Sequence, residues 1–201
     1  MRILGISSAT KVVSIGLIDD EKVLAETTVA DLRAERIIFY VKEAGIDPKQ
    51  IEGVAVASGP GSYSGLRGGL AAAKTLAQTL NIPLVGVPTL DAIAYNLIDI
   101  EGTMVVMLDA KRDEYNFALF GAHDGKIKRL TEDLVLTKEY IDKKLAEIQG
   151  KIYVVDGSKR HPYGINVARL GLEKIRAGEL ADPLKLVPSY SHKPNIREYK
   201  S

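Results

Sequence analysis

The sequence contains no cysteine. That absence removes disulfides, thiol nucleophiles and thiolate metal sites from consideration. It also lacks net charge: 27 Lys and Arg against 26 Asp and Glu leave a formal +1. No global field recruits nucleic acid or a membrane surface, and contact with either would need a local basic patch. No apolar run approaches the roughly 20 residues of a membrane helix. The opening Met1-Arg2-Ile3-Leu4 reads as a strand, without a signal peptide's long apolar segment or small-residue cleavage site, so a cytoplasmic protein is expected. Catalytic signatures are missing as well. There is no H-E-x-x-H and no paired H-x-x-x-H; His123, His161 and His192 stand alone and read as surface residues without a metal role.

What the chain does have is ordinary core material: 46% hydrophobic and 26% charged residues over 201 positions, enough for one domain or two small ones. Strand-like runs at Arg2–Ile6, Val12–Ile18 and Lys22–Val29 open it, with Asp19-Asp20-Glu21 as a tight polar turn. A helix is expected from Leu32 to Ala44, with Asp31 as N-cap and Gly45 beyond its end. Then come a strand at Gly53–Ala57, a helix ending near Leu80, a strand at Leu84–Val87, and a helix from Thr89, its expected cap, to Leu97. The order then restarts. Strands at Thr103–Leu108, Tyr115–Phe120 and Lys126–Leu130, the last two joined at Asp124-Gly125, precede a helix from Thr137 to Ile148. A strand at Ile152–Val155 and a helix from Asn166 to Ala177 follow. The second half thus reads βββαβα and repeats the first in shortened form. Two RNase H-like halves in this order resemble the α/β fold of the actin/Hsp70-like (ASKHA) superfamily. The expected subdomains are residues 1–100 and 101–201, divided near Asp99-Ile100-Glu101-Gly102, with a basic tail carrying Lys193, Arg197 and Lys200.

The densest signal is the stretch from Ser58 to Gly69, Ser-Gly-Pro-Gly-Ser-Tyr-Ser-Gly-Leu-Arg-Gly-Gly, between a strand and a helix. A glycine-rich turn at a helix N-terminus presents free N–H groups and the positive end of the helix dipole, which suits an anion. It is not a Walker A element, because Leu66 and Arg67 follow Gly65 where Lys and Ser or Thr are required. Nor is it a nucleophile elbow, since Tyr63 holds the central position. Three readings stand: a tight turn capped by Ser62 or Ser64, a weak anion or nucleotide contact, and direct contact with a partner. In the helix from 64 to 80, Leu66, Leu70, Ala73, Ala77 and Leu80 share the expected core face. Gly68 and Gly69 each cost roughly 1 kcal/mol relative to alanine, and close approach of another helix offsets that cost. Ile37-Ile38-Phe39-Tyr40-Val41 is apolar all the way round its helix, which predicts burial on both sides, one of them against a partner.

Residues Gly59 to Arg67, followed by Gly69-Leu70-Ala71-Ala72-Ala73-Lys74, resemble the signature loop and helix of the TsaB (YeaZ) family. Four further stretches agree with it: Ile3 to Thr10, Ile82 to Val87, Leu108 to Tyr115, and Pro188 to Pro194. The resemblance implies a non-catalytic subunit needed to form N6-threonylcarbamoyladenosine at position 37 of tRNA. It implies pairing with a TsaD-like catalytic subunit, a TsaE-like ATPase as a further partner, a homodimer when alone, and tRNA contact only through the complex. Pairing would run through the helices at 32–44 and 64–80, with Ile37, Phe39, Tyr40, Val41, Arg67, Gly68, Gly69, Ala72 and Leu76 as interface residues. No cofactor is implied beyond weak nucleotide binding, for which Ser8, Thr10, Gly61, Ser62 and Arg67 are the candidate contacts. Two positions depart from the family pattern. Ser7 stands where the first strand usually carries aspartate, and Arg33-Ala34-Glu35 stands where the first helix commonly begins His-Ser-Glu. Ser7 cannot hold a hard divalent cation with a carboxylate's charge, which speaks against the rival reading as an ATP-binding phosphotransferase or ATPase of the same superfamily. A peptidase lacks every residue it would need.

Overall fold

The structure is a computed structural model and describes residues 1–30 and 36–192. Two meanders organise it. β1 (Arg2–Ser7), β2 (Val13–Asp19) and β3 (Lys22–Val29) run antiparallel, with Asp20 in the left-handed region at the tight turn between β2 and β3. α1 (Ile37–Glu43), β4 (Gly53–Gly59), α2 (Tyr63–Leu80), β5 (Leu84–Pro88) and α3 (Thr89–Ala94) complete the first half, and a short 3-10 turn at Tyr95–Leu97 continues α3. β4 lies parallel to β1 and β5 parallel to β4, giving the order β3-β2-β1-β4-β5.

The second half repeats this layout with parts missing. β6 (Gly102–Lys111) and β7 (Glu114–His123) form the hairpin, and β10 (Ile152–Asp156) lies parallel to β6 as β4 does to β1. The third strand is split. β8 (Lys126–Arg129) pairs with one end of β7 and β9 (Leu134–Thr137) with the other. β9 is absent from the sequence-based reading, because four residues after Glu132-Asp133 are too short a pattern to register. Among the described residues no strand occupies the place of β5, so the second half is shortened there as expected. The Asp124-Gly125 turn has both residues at positive φ, as its hairpin type requires.

The elements stack in five layers. α1 and α2 cover one face of the first sheet around Leu4, Ile6, Val54, Leu70 and Leu76. α5 (Gly164–Arg176) covers the opposite face, with Val167, Ala168 and Leu172 against Ile3, Ala55 and Val85. α3 packs Leu90 and Ile93 onto Met104, Val106 and Phe120 of the second sheet, whose outer face is covered by α4 (Lys138–Glu147) through Ile141. This is the mixed α/β ASKHA-type arrangement the element order implied. α5, though the last helix of the second half, packs on the first sheet. A boundary near residue 100 therefore separates the strands but not the packing units.

Some local expectations change. α3 is capped by Pro88 without a side-chain bond, and Thr89 is buried with its hydroxyl unpartnered. Thr137 precedes α4 but makes no capping bond. Asp31, the Arg33-Ala34-Glu35 departure, and Lys193, Arg197 and Lys200 lie outside the described residues.

Candidate partner interface

The glycine loop is a packed turn. β4 ends at Gly59, and a cis peptide joins it to Pro60. Ser62 caps α2 by accepting from the Gly65 N–H at 3.3 Å, which is the turn-and-cap reading. The loop closes onto the turn after β1: the Ser62 N–H donates to the Ala9 carbonyl at 2.7 Å, and the Ser8 hydroxyl donates to the Gly65 carbonyl at 2.8 Å. Three glycines are required by that closeness. A β-carbon at Gly61 would stand 2.3 Å from the Ala9 oxygen, one at Gly65 2.0 Å from the Ser8 carbonyl oxygen, and one at Gly69 2.4 Å from the Ser8 hydroxyl. Of the five candidate anion contacts, Ser8, Gly61 and Ser62 are brought together, but Ser8 and Ser62 bond to the backbone of Gly65 and Ala9, and Gly61 packs against Ala9. Thr10 bonds within its own turn to Val12, and Arg67 turns back to donate to the Tyr63 hydroxyl at 2.9 Å.

The close approach expected of Gly69 is therefore internal, against Ser8, and this corrects its assignment to a partner contact. Gly68 remains partly exposed. The correction extends to other members of the expected interface. Ile37, Tyr40 and Val41 are buried with Ala72 and Leu76 in the chain's own core. α1 buries one face after all, and beside Lys42 and Glu43 the apolar residues it leaves to solvent are Ile38 at 42% and Phe39 at 61% exposure. Along α2 the exposed stripe runs through Ser64, Arg67, Ala71, Thr75 and Gln78, a spacing of three and four residues that keeps them on one side. The accessible surface of these two contacting helices thus includes two large apolar side chains on α1 and, on α2, the small residues Ser64, Ala71 and Thr75 between Arg67 and Gln78. Of the predicted set, Phe39, Arg67 and Gly68 reach it. Ile38, Ala71 and Thr75 were missed, and the stretch Ile37-Ile38-Phe39-Tyr40-Val41, apolar throughout, hid which two would face out.

At the N-terminal end of that face a stack forms. The Tyr63 and Tyr190 rings lie 5.0 Å apart, and the Arg67 guanidinium sits over Tyr63 at 5.3 Å. The charged turn at the tip of the β6–β7 hairpin places Lys111, Arg112 and Asp113 at positive φ. The bond from Lys111 holds the Asp109 carboxyl below its ordinary value, with a smaller contribution from Lys11 on the β1–β2 turn of the other half. His123 sits between Glu101 and Asp124 on the surface, donor atoms within 4.8 Å of one another. No helix among the described residues is long and apolar enough to cross a membrane.

Comparison with known proteins places this geometry. The family model described as TsaD, tRNA N6-adenosine threonylcarbamoyltransferase, matches residues 34–184. The tRNA threonylcarbamoyladenosine biosynthesis protein TsaB of Bacillus subtilis (strain 168) is 28% identical, the alignment covering 94% of this chain and 93% of that one. The Escherichia coli (strain K12) protein of the same name is 29% identical over 75% of this chain and 69% of its own length. YeaZ from Pseudomonas aeruginosa superposes with a TM-score of 0.79 at 18% identity, covering 94% of this chain and 99% of that one, and shares the fold. The chain belongs to the tRNA N6-adenosine threonylcarbamoyltransferase family, within its TsaB (YeaZ) members.

Proposed function

We propose that this chain takes part in threonylcarbamoyladenosine biosynthesis on tRNA as a non-catalytic subunit that pairs with a TsaD-like catalytic subunit through α1 and α2. The carrying observation is the exposed Ile38-Phe39 pair on α1, a helix that contacts α2, together with the exposed small-residue stripe along α2. A phenyl ring and a branched aliphatic side chain left in water on one short helix favour a partner that covers them, each buried side chain contributing about 1.5–3 kcal/mol. Ser64, Gly68 and Ala71 let a second helix approach closely, and Arg67 supplies a directional contact at the edge.

The non-catalytic reading is supported by two local facts. Ser7, fully buried at the end of β1, offers no carboxylate, and the loop that would cradle phosphates bonds to the Ser8–Ala9 turn instead. Homodimerisation through the same face, recruitment of a TsaE-like ATPase, tRNA contact only through the complex, and weak nucleotide binding belong to the same proposal. The test is light scattering of this chain alone and mixed with a purified TsaD. A stable complex is expected with the wild type, and loss of it with Phe39→Asp at unchanged thermal stability. Absence of any complex with the wild type overturns the reading.

A further inference from the structure

We propose that residues 179–192 are a latch that fixes the angle between the two halves and ties it to the head of α2; its importance for pairing rests on the function proposed above, but its mechanical role does not. The segment leaves α5 and runs along the open edge of the first sheet. The Ala181 N–H donates to the Leu84 carbonyl at 2.8 Å, Leu186 packs into the core beside Gly86, and the Ser189 N–H donates to the Ser58 carbonyl at 2.8 Å. Gly59 has no side chain because the Ser189 carbonyl oxygen would lie 2.1 Å from it. Tyr190 then stacks on Tyr63, the first residue of α2. All of these anchors are in the first half.

The next two residues meet the second half. The Ser191 hydroxyl donates to the Asn116 side-chain oxygen at 2.5 Å, and the His192 Nε2 lies 3.3 Å from the Glu114 carboxylate without a hydrogen bond, so the grip rests on Ser191. Asn116 is itself buried on β7, its amide nitrogen donating to the Leu108 carbonyl. Tyr190 and Ser191 are covalent neighbours, about 3.8 Å apart at their α-carbons, yet each holds a different half. There is no slack between them. The halves also meet at α3, where Leu90 and Ile93 pack on the second sheet and Asp91 pairs with Arg129 of β8. With α3 as pivot, opening the two sheets apart on the side of this segment loads the Tyr63–Tyr190 stack and the Ser191–Asn116 bond together.

Hydrogen exchange on the isolated full chain tests this. Ser191→Ala, which removes one hydroxyl, should speed exchange at the Leu66 and Arg67 amides of α2 about fivefold, while Tyr40 and Val41 of α1 keep the wild-type rate. Tyr190→Ala should reciprocally speed exchange at Phe117 of β7. Changes confined to residues 188–192 would overturn the latch, and so would uniform acceleration across both sheets, which reports global destabilisation. The measurement needs no partner. A chain that never pairs with TsaD can still show the coupling, and one that pairs normally can still lack it.

Discussion

A β-carbon at Gly164 would meet the Gly16 nitrogen at 2.3 Å and the Ile15 carbonyl carbon at 2.5 Å, both rigid backbone. Gly5 faces the same helix, its own β-carbon 2.0 Å from the Gly164 oxygen. α5 therefore lies on the first sheet almost backbone to backbone. Gly164→Ala forces overpacking worth about 1–3 kcal/mol, so thermal unfolding should show a melting temperature lower by roughly 2–12 °C. Gly45→Ala and Gly178→Ala, in open space, lack that clash and carry only the strain of a positive φ. His161 illustrates a second residue-scale effect. Its ring packs 4.2 Å from Tyr163, and burial pushes its pKa below the ordinary value. The folded chain then binds the proton less readily than the unfolded one. The resulting penalty is absent above the unfolded value of about 6.5 and grows as pH falls through it toward the folded value. Denaturant titrations between about pH 7.5 and 5.5 should show His161→Phe losing less stability on acidification than the wild type; equal losses would remove His161 from that account.

Among the elements, α2 shows what a sequence can and cannot disclose. Its small residues announce close approach, but not to what. Gly65 and Gly69 point inward at Ser8, and Ala71 and Thr75 point out. Gly69→Arg should consequently unfold the chain and not merely block assembly. Ala71→Arg and Thr75→Arg should leave the melting temperature within about 2 °C of wild type and abolish the proposed complex with a TsaD-like subunit in size-exclusion chromatography; an intact complex would move the partner off this face. The meanders, the crossovers and a serine cap on α2, at Ser62 or Ser64, were legible because alternation, turn residues and caps are local signals; the structure selects Ser62. β9 was not legible, being four residues whose only reason to be a strand is the free end of β7. The outward turn of Ile38 and Phe39 was not legible either. Five consecutive apolar residues carry no phase, and only the neighbouring sheet decides which three are buried.

For the whole molecule, the decisive fact is the destination of α5. Element order placed it with the second half, and nothing in its own sequence says which sheet it will cover: Val167, Ala168 and Leu172 make an apolar stripe that would suit either. The structure sets them on Ile3, Ala55 and Val85. Asn166 then bonds to Asn96 and to the Ala92 carbonyl, tying α5 to α3. Each half thus completes the other, since α3 from the first closes the second sheet and α5 from the second closes the first. A fragment of residues 1–100 would expose the whole face that α5 covers, including Ile3, Val85 and the bare backbone at Gly5, with nothing local to replace it. A fragment of 101–201 would expose Met104, Val106 and Phe120 where α3 belongs. Expressed separately, neither should give a cooperative thermal transition, whereas the two mixed should regain one together with near-ultraviolet circular dichroism like that of the intact chain. If residues 1–100 alone unfold cooperatively, the first sheet does not need α5, and the two halves are autonomous domains joined by the latch and α3.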